Sequence, residues 1–165
     1  ICRKVYGIDV SQAMLELARE IAEKERISNL HYLPGGFLQI PPEVTKITHV
    51  LSQKAMHHLP DYYKQQALLK INRQLQIGGT FYLDDFIHSY HPKDAVKEMQ
   101  KWIDELVEII GPEFRQKAER TFANHFFCFD WMMESMLEKA GFKLLEKKLT
   151  GPVHATFLCE KTERV

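Results

Sequence analysis

A chain of 165 residues with 45% hydrophobic and 27% charged side chains has the size and composition of one globular domain with a single buried core. Lysine plus arginine and aspartate plus glutamate balance at 22 each, which excludes the basic footprint of a protein built to hold nucleic acid or an anionic membrane. No apolar run reaches the roughly 18 to 20 residues that span a bilayer, and Arg3 and Lys4 interrupt the stretch where a signal peptide would be apolar.

Short apolar runs alternate with helical patterns, the signature of βαβ units and an α/β fold. Lys4 to Asp9 predicts a strand. Ser11 is the N-cap of a helix to about Lys24, with Met14, Leu15, Leu17, Ala18, Ile21 and Ala22 at helical spacing. Leu30 to Leu33 predicts a second strand, closed by Pro34-Gly35-Gly36. Ile47 to Ser52 predicts a third, apolar enough near its end to be covered on both faces. A helix over Tyr62 to Gln76 follows with Gly78-Gly79 as its C-cap, then a fourth strand over Thr80 to Phe86. Pro92 to Ile110 is a long amphipathic helix with Val96, Met99, Ile103, Leu106, Val107 and Ile110 inward, stopped by Gly111-Pro112. A polar helical piece covers about Glu113 to Arg120, and Phe126, Phe127, Phe129 and Trp131 lead into a helix up to Ala140, capped by Gly141. Phe142 to Leu149 and His154 to Glu160 are two strands whose short connection through Gly151-Pro152 predicts an antiparallel pair.

Cys2, Cys128 and Cys159 are too far apart for a metal knuckle or a redox pair, and their odd number argues for reduced thiols and a cytoplasmic protein. No repeat or long linker divides the chain, so residues 1–165 read as one domain. The segment 88–127 is a helical insert, either a substrate lid or an ordinary packing element.

Four motifs in order resemble class I (Rossmann-like) S-adenosylmethionine-dependent methyltransferases. Gly7-Ile8-Asp9-Val10-Ser11 with Met14-Leu15 is similar to that family's second strand and helix. Ala55-Met56-His57-His58-Leu59-Pro60-Asp61 is similar to the segment after its fourth strand, and Leu75-Gln76-Ile77-Gly78-Gly79-Thr80-Phe81 to the turn into its fifth. Ala140-Gly141-Phe142 and the two strands beyond it resemble its closing unit. The resemblance implies a three-layer αβα sandwich whose mostly parallel sheet ends in an antiparallel strand. It also implies methyl transfer from S-adenosyl-L-methionine to a small-molecule acceptor. The chain starts at Ile1 in what reads as the approach to a strand. By the resemblance, the first strand and its glycine-rich loop are missing from these residues. An exposed strand edge would then remain, with dimerisation or poor solubility as its consequence.

Asp9 falls where a strand's carboxyl end meets a helix, the edge at which open α/β sheets bind ligands. A carboxylate there accepts both hydroxyl hydrogens of a ribose, or else holds free amides at the helix start. Val10 and Met14 are the apolar contacts to adenine, with simple core packing the other reading of Met14. Gly36 stands where the family usually has an acidic residue for the adenine amino group, and Phe37 either stacks on adenine or anchors its loop. Ser52 and Gln53 fall where the resemblance places the methionine part of the cofactor. Lys54 is expected to face solvent or an acidic substrate, because a cation beside a sulfonium is repelled.

His57 has the chemistry of a general base near neutral pH. Neighbouring residues in a loop or helix start diverge, so His57 and His58 are not expected to chelate, and no other histidine has zinc-ligand spacing. The sequence therefore predicts no metal. Asp84-Asp85 points two carboxylates to opposite sides of a strand, more as a solvated end than a catalytic pair. Two rival functions remain. A non-catalytic methyltransferase-like remnant fits Gly36, Lys54 and the missing loop, whereas a nicotinamide-dependent reductase fits Asp9 but neither the His57 stretch nor the last two strands.

Overall fold

The computed structural model describes residues 2–163; Ile1, expected at the approach to the first strand, lies outside them. Strand β1 (Val5–Asp9) is followed by helix α1 (Gln12–Lys24), whose N-cap Ser11 accepts a hydrogen bond from the Met14 amide as its sequence position predicts. Strand β2 (Leu30–Pro34) pairs in parallel with β1, so the first unit is a βαβ turn. Strand β3 (Ile47–Gln53), helix α2 (Asp61–Gln74) and strand β4 (Leu75–His88) form the second, again parallel. Helices α3 (Ala95–Ile110) and α4 (Phe114–Asn124) intervene before strand β5 (Cys128–Phe129), which adds in parallel to the end of β4. Helix α5 (Asp130–Lys139) leads to β6 (Phe142–Leu149) and β7 (His154–Lys161). As predicted from the short connection, β6 and β7 are antiparallel, and β7 inserts antiparallel between β6 and β4.

The sheet runs β3-β4-β7-β6, while β1 and β2 form a separate parallel pair. Among the described residues β1 and β3 each have one unpaired edge. In a Rossmann-like order, one parallel strand belongs between them, as the resemblance implied. The core lies on one face of the larger sheet. Phe81, Leu83 and Ile87 of β4 and Ala155, Phe157 and Cys159 of β7 alternate onto it beneath α2 and α5. The alternation follows from the two-residue period of a strand. Lys161 is buried at the end of β7, and its ammonium donates to the carbonyls of Asn72 and Leu75. It thus satisfies the open carbonyls at the carboxyl end of α2, where a cation also meets the helix dipole favourably.

Three expectations are corrected. Helix α2 stops at Gln74, and Leu75 is already extended (φ −71, ψ 144), so Gly78-Gly79 do not cap it. The glycines lie instead in an irregular stretch of β4, where the register jumps from Ile47 opposite Leu75 to His49 opposite Thr80. There Gly78 takes φ +77, and a Cβ on Gly79 would come within 3.0 Å of the Thr48 carbonyl. Strand β3 is not covered on both faces: Leu51 is 68% exposed. The apolar stripes of α1 and α3 are only partly used. Leu15 and Ala22 are buried, but Met14, Leu17 and Ile21 are about half exposed, and Ile103 is the buried residue of α3. Periodicity marks which side chains are apolar, not how far neighbouring elements cover them; on α3, Met99, Leu106 and Val107 are only partly covered. No helix among the described residues is long and apolar enough to cross a membrane. Cys128 and Cys159 are buried, and burial pushes both thiols up to about 12, so they stay protonated and inert.

Candidate functional site

The carboxyl ends of the parallel strands gather nearly all the residues singled out in the sequence. At the end of β1 one Asp9 carboxylate oxygen accepts the Ser11 amide at 2.8 Å, and the Asp9 carbonyl accepts the Gly35 amide. This is the helix-start role. It engages one oxygen of the carboxylate; the other has no hydrogen-bond partner among the described residues. Val10 is 85% exposed beside it, and Met14 is uncovered on the first turn of α1. A Cβ at Gly36 would lie 2.9 Å from Val10 Cγ1, so a side chain there requires the exposed Val10 side chain to shift. Phe37 is half-buried against the main core, the anchoring arrangement.

At the end of β3, Ser52 is buried and its hydroxyl has no hydrogen-bond partner among the described residues. Gln53 sits opposite Asp84 in the parallel register and donates to its Oδ2 at 2.8 Å. Lys54 turns with φ 47; its amide donates to the Asp84 carbonyl and its ammonium lies 5.9 Å from the Phe86 ring centre. Lys54 thus stays exposed, as expected, while its ammonium lies over the Phe86 ring of β4. His154 reaches the other Asp84 oxygen from β7. Burial would raise the Asp84 carboxyl, but hydrogen bonds from Gln53 and His154 and the charges of His154 and Lys54 outweigh it and hold the group below its ordinary value.

Asp84 and Asp85 do point to opposite sides, but the strand end is not solvated. Asp85 is 1% exposed and accepts four hydrogen bonds. Its Oδ2 takes the amides of Met56 (2.8 Å) and His57 (3.1 Å), and its Oδ1 takes the Phe86 amide (2.8 Å) and His57 Nδ1 (2.5 Å). Because a carboxylate only accepts, His57 Nδ1 carries a proton, and in the neutral imidazole the lone pair lies on Nε2. His57 and His58 lie on a 3-10 turn, Met56–His58, after β3. The tight turn overturns the expectation that these neighbours diverge: their ring centres are 4.2 Å apart. His125, from the end of α4, joins them at 5.0 Å from His57 and 4.6 Å from His58. Desolvation, then the charges of His57 and His125, lower the pKa of His58.

Two polar ties hold the His125 segment against the turn. The Phe126 amide donates to the His57 carbonyl at 2.8 Å, and the buried Lys64 ammonium donates to the Phe126 carbonyl and to Asp61 Oδ1. Lys64→Met keeps the packed stem but orphans that carbonyl. It is expected to cost about 1–2 kcal/mol in urea denaturation and to speed amide exchange at Phe126.

A cavity of about 460 Å³ opens between α3, α4 and the end of β4, walled by Met99, Ile103, Phe122, Phe127, His88 and His125. His88 Nδ1 is 2.7 Å from the Tyr90 hydroxyl, and burial lowers its imidazole from 6.5 to about 4. Between those pH values the unfolded chain takes up a proton that the folded protein does not, so stability falls as pH drops through that window. The group is half-buried, so the loss is about 2 kcal/mol after screening. His88→Gln should reduce the difference between denaturation free energies at pH 7 and pH 4.5 by about that amount.

Sequence reasoning found Asp9, Val10, Met14, Gly36, Phe37, Ser52, Gln53 and His57 as candidates but missed the roles of Asp85, His125 and His154. Asp85 had a usable signal, a carboxylate ending the strand beside the one that leads into His57. His125 had none, since only the path of α3 and α4 brings it back.

An open, mostly parallel α/β sheet closed by an antiparallel hairpin, with its candidate groups at the carboxyl edge, is the architecture of class I S-adenosylmethionine-dependent methyltransferases. Residues 2–149 match the family model of a methyltransferase domain, and the chain belongs to that family. It is 30% identical over 148 residues to an uncharacterized methyltransferase of Anoxybacillus flavithermus, covering 81% of this chain and 68% of that protein. A demethylmenaquinone methyltransferase of Staphylococcus haemolyticus is 26% identical over 170 residues, covering 94% and 65%. Among solved structures, an O-methyltransferase family 2 protein of Planctomyces limnophilus superposes with a TM-score of 0.69 at 16% identity, covering 96% of this chain and 43% of that one. The chain spans 59–68% of the length of three curated relatives it matches.

Proposed function

We propose that the protein transfers a methyl group from S-adenosyl-L-methionine to a small-molecule acceptor with an apolar, ring-bearing body. The observation that carries this reading is the aromatic-walled cavity of about 460 Å³ bordered by His125, the residue packed on the His57–His58 turn after β3. Its size and lining suit a small organic molecule. The name of the demethylmenaquinone methyltransferase relative agrees with a ring-bearing acceptor.

The chain's own residues fit the nucleoside part of the cofactor. Asp9 has one oxygen for the ribose hydroxyls, Val10 and Met14 offer uncovered apolar surface to adenine, and the Ser52 hydroxyl is an unpaired polar atom at the strand end. No Gly-x-Gly pattern occurs in the 165 residues, so the residues named here account for the nucleoside side of the cofactor only. The cofactor supplies an already activated methyl; the protein aligns the acceptor, excludes water and takes a proton only if the acceptor must lose one. His57, with Nδ1–H fixed on Asp85, presents Nε2 for that proton.

Calorimetric titration with S-adenosylhomocysteine and, separately, NADH tests the proposal. Binding of S-adenosylhomocysteine alone supports it. Binding of NADH alone returns the reductase reading, and binding of neither favours the non-catalytic remnant. The free edges of β1 and β3 support self-association as a further property of this chain. A monomer by size exclusion with light scattering would contradict that.

A further inference from the structure

We propose that His57, His58 and His125 form a binding site for a divalent transition-metal ion of the zinc type, next to the insert cavity. Each offers one ring nitrogen, and the three nitrogens lie within 4.8 Å of one another. A tetrahedral ion with bonds of 2.0–2.1 Å needs nitrogens about 3.3 Å apart, so modest ring rotations close the site. The freedom for that exists at His58, which is exposed and whose ring makes no hydrogen bond among the described residues.

The other two rings are already set as ligands. His57 donates Nδ1–H to the buried Asp85, and His125 donates Nδ1–H to the Thr121 carbonyl at 2.7 Å, because both partners only accept. In the neutral imidazole each Nε2 then carries the lone pair. A carboxylate or carbonyl behind a histidine is the support that metal-bound imidazoles use to fix tautomer and orientation. The three ring centres lie 4.2–5.0 Å apart.

The donor set defines the ion. Imidazoles select zinc, copper, nickel or iron(II) over magnesium and calcium, which prefer oxygen. Asp85 is saturated by four donors, so it supports the site rather than ligating. Three histidines leave a fourth position for water or an acceptor oxygen, and His125 also borders the cavity in which an acceptor would sit. A bound ion would occupy the His57 lone pair. In the loaded protein the ion's charge, not His57, would then acidify the acceptor.

The test is calorimetric titration of zinc into tag-free, chelator-treated protein carrying Cys2→Ser, which removes the exposed thiol. One equivalent should bind, with His58→Gln and His125→Gln each weakening it at least about tenfold, and excess magnesium should not compete. Both substitutions are at incompletely buried positions, and circular dichroism is the check that the variants fold. In parallel, nitrogen-15 spectra should show the Nε2 signals of His57 and His125 shifting together with zinc. Absence of saturable one-to-one binding, or binding of unchanged strength in the two folded variants, would overturn the site. The readout is metal binding, so it is independent of the methyl-transfer reading.

Discussion

Replacing Asp85 with asparagine is expected to cost about 2–3 kcal/mol of stability and to remove the lone pair from His57 Nε2. The carboxylate receives two donors on each oxygen, from Met56 and His57 amides on one side and from Phe86 amide and His57 Nδ1 on the other. An asparagine oxygen can serve only one side. If it keeps the pair of amides from the turn, its NH2 group faces the Phe86 amide and His57 Nδ1. The Phe86 amide is then orphaned, at about 1–3 kcal/mol for a buried donor. His57 must switch tautomer to accept at Nδ1, so its proton moves to Nε2. Any step that needs a base or a ligand at Nε2 should fall by about 100-fold or more, as for other buried carboxylate–histidine pairs given an asparagine. Urea denaturation and nitrogen-15 tautomer shifts read the two effects separately. Wild-type stability with an unchanged His57 tautomer would remove Asp85 from this role.

Asp9→Ala should weaken S-adenosylhomocysteine binding by about 100-fold, the equivalent of one or two charge-assisted hydrogen bonds. The same substitution removes the single bond from the Ser11 amide, which sits at the half-buried start of α1 and can be replaced by water. Stability should therefore change by about 1 kcal/mol or less. Asp9→Asn, which preserves an acceptor for Ser11 but weakens the ribose contact, should fall between the two in affinity. Equal affinity in all three proteins, measured by calorimetry, would place the nucleoside elsewhere.

The βαβ order was legible because local signals agreed with the fold: the Ser11 cap, the apolar strand centres, and the short Gly151-Pro152 link that enforces an antiparallel hairpin. Asp9 was legible for the same reason, since a strand end followed by an N-cap fixes where its carboxylate sits. Burial was less so. Met14, Leu17 and Ile21 have the spacing of a buried face yet stay half exposed, because periodicity reports the polarity of a helix and not the presence of a layer to cover it. Gly78-Gly79 misled because a helix stop and an irregular strand entry both require residues free of a Cβ. His57 and His58 were judged by the rule that neighbours diverge, which a 3-10 turn defeats. The complete imidazole cluster depended on a chain reversal through α3 and α4, information held in tertiary packing alone.

The most direct test of the central claim, that the rim at Asp9 holds an adenosine sugar, is a crystal structure of the protein with S-adenosylhomocysteine bound. The expected result is the ribose with both hydroxyls within hydrogen-bond distance of the Asp9 carboxylate and the adenine against Val10 and Met14. A nucleoside bound away from the carboxyl ends of β1 and β3, with Asp9 still holding only the Ser11 amide, would contradict the account.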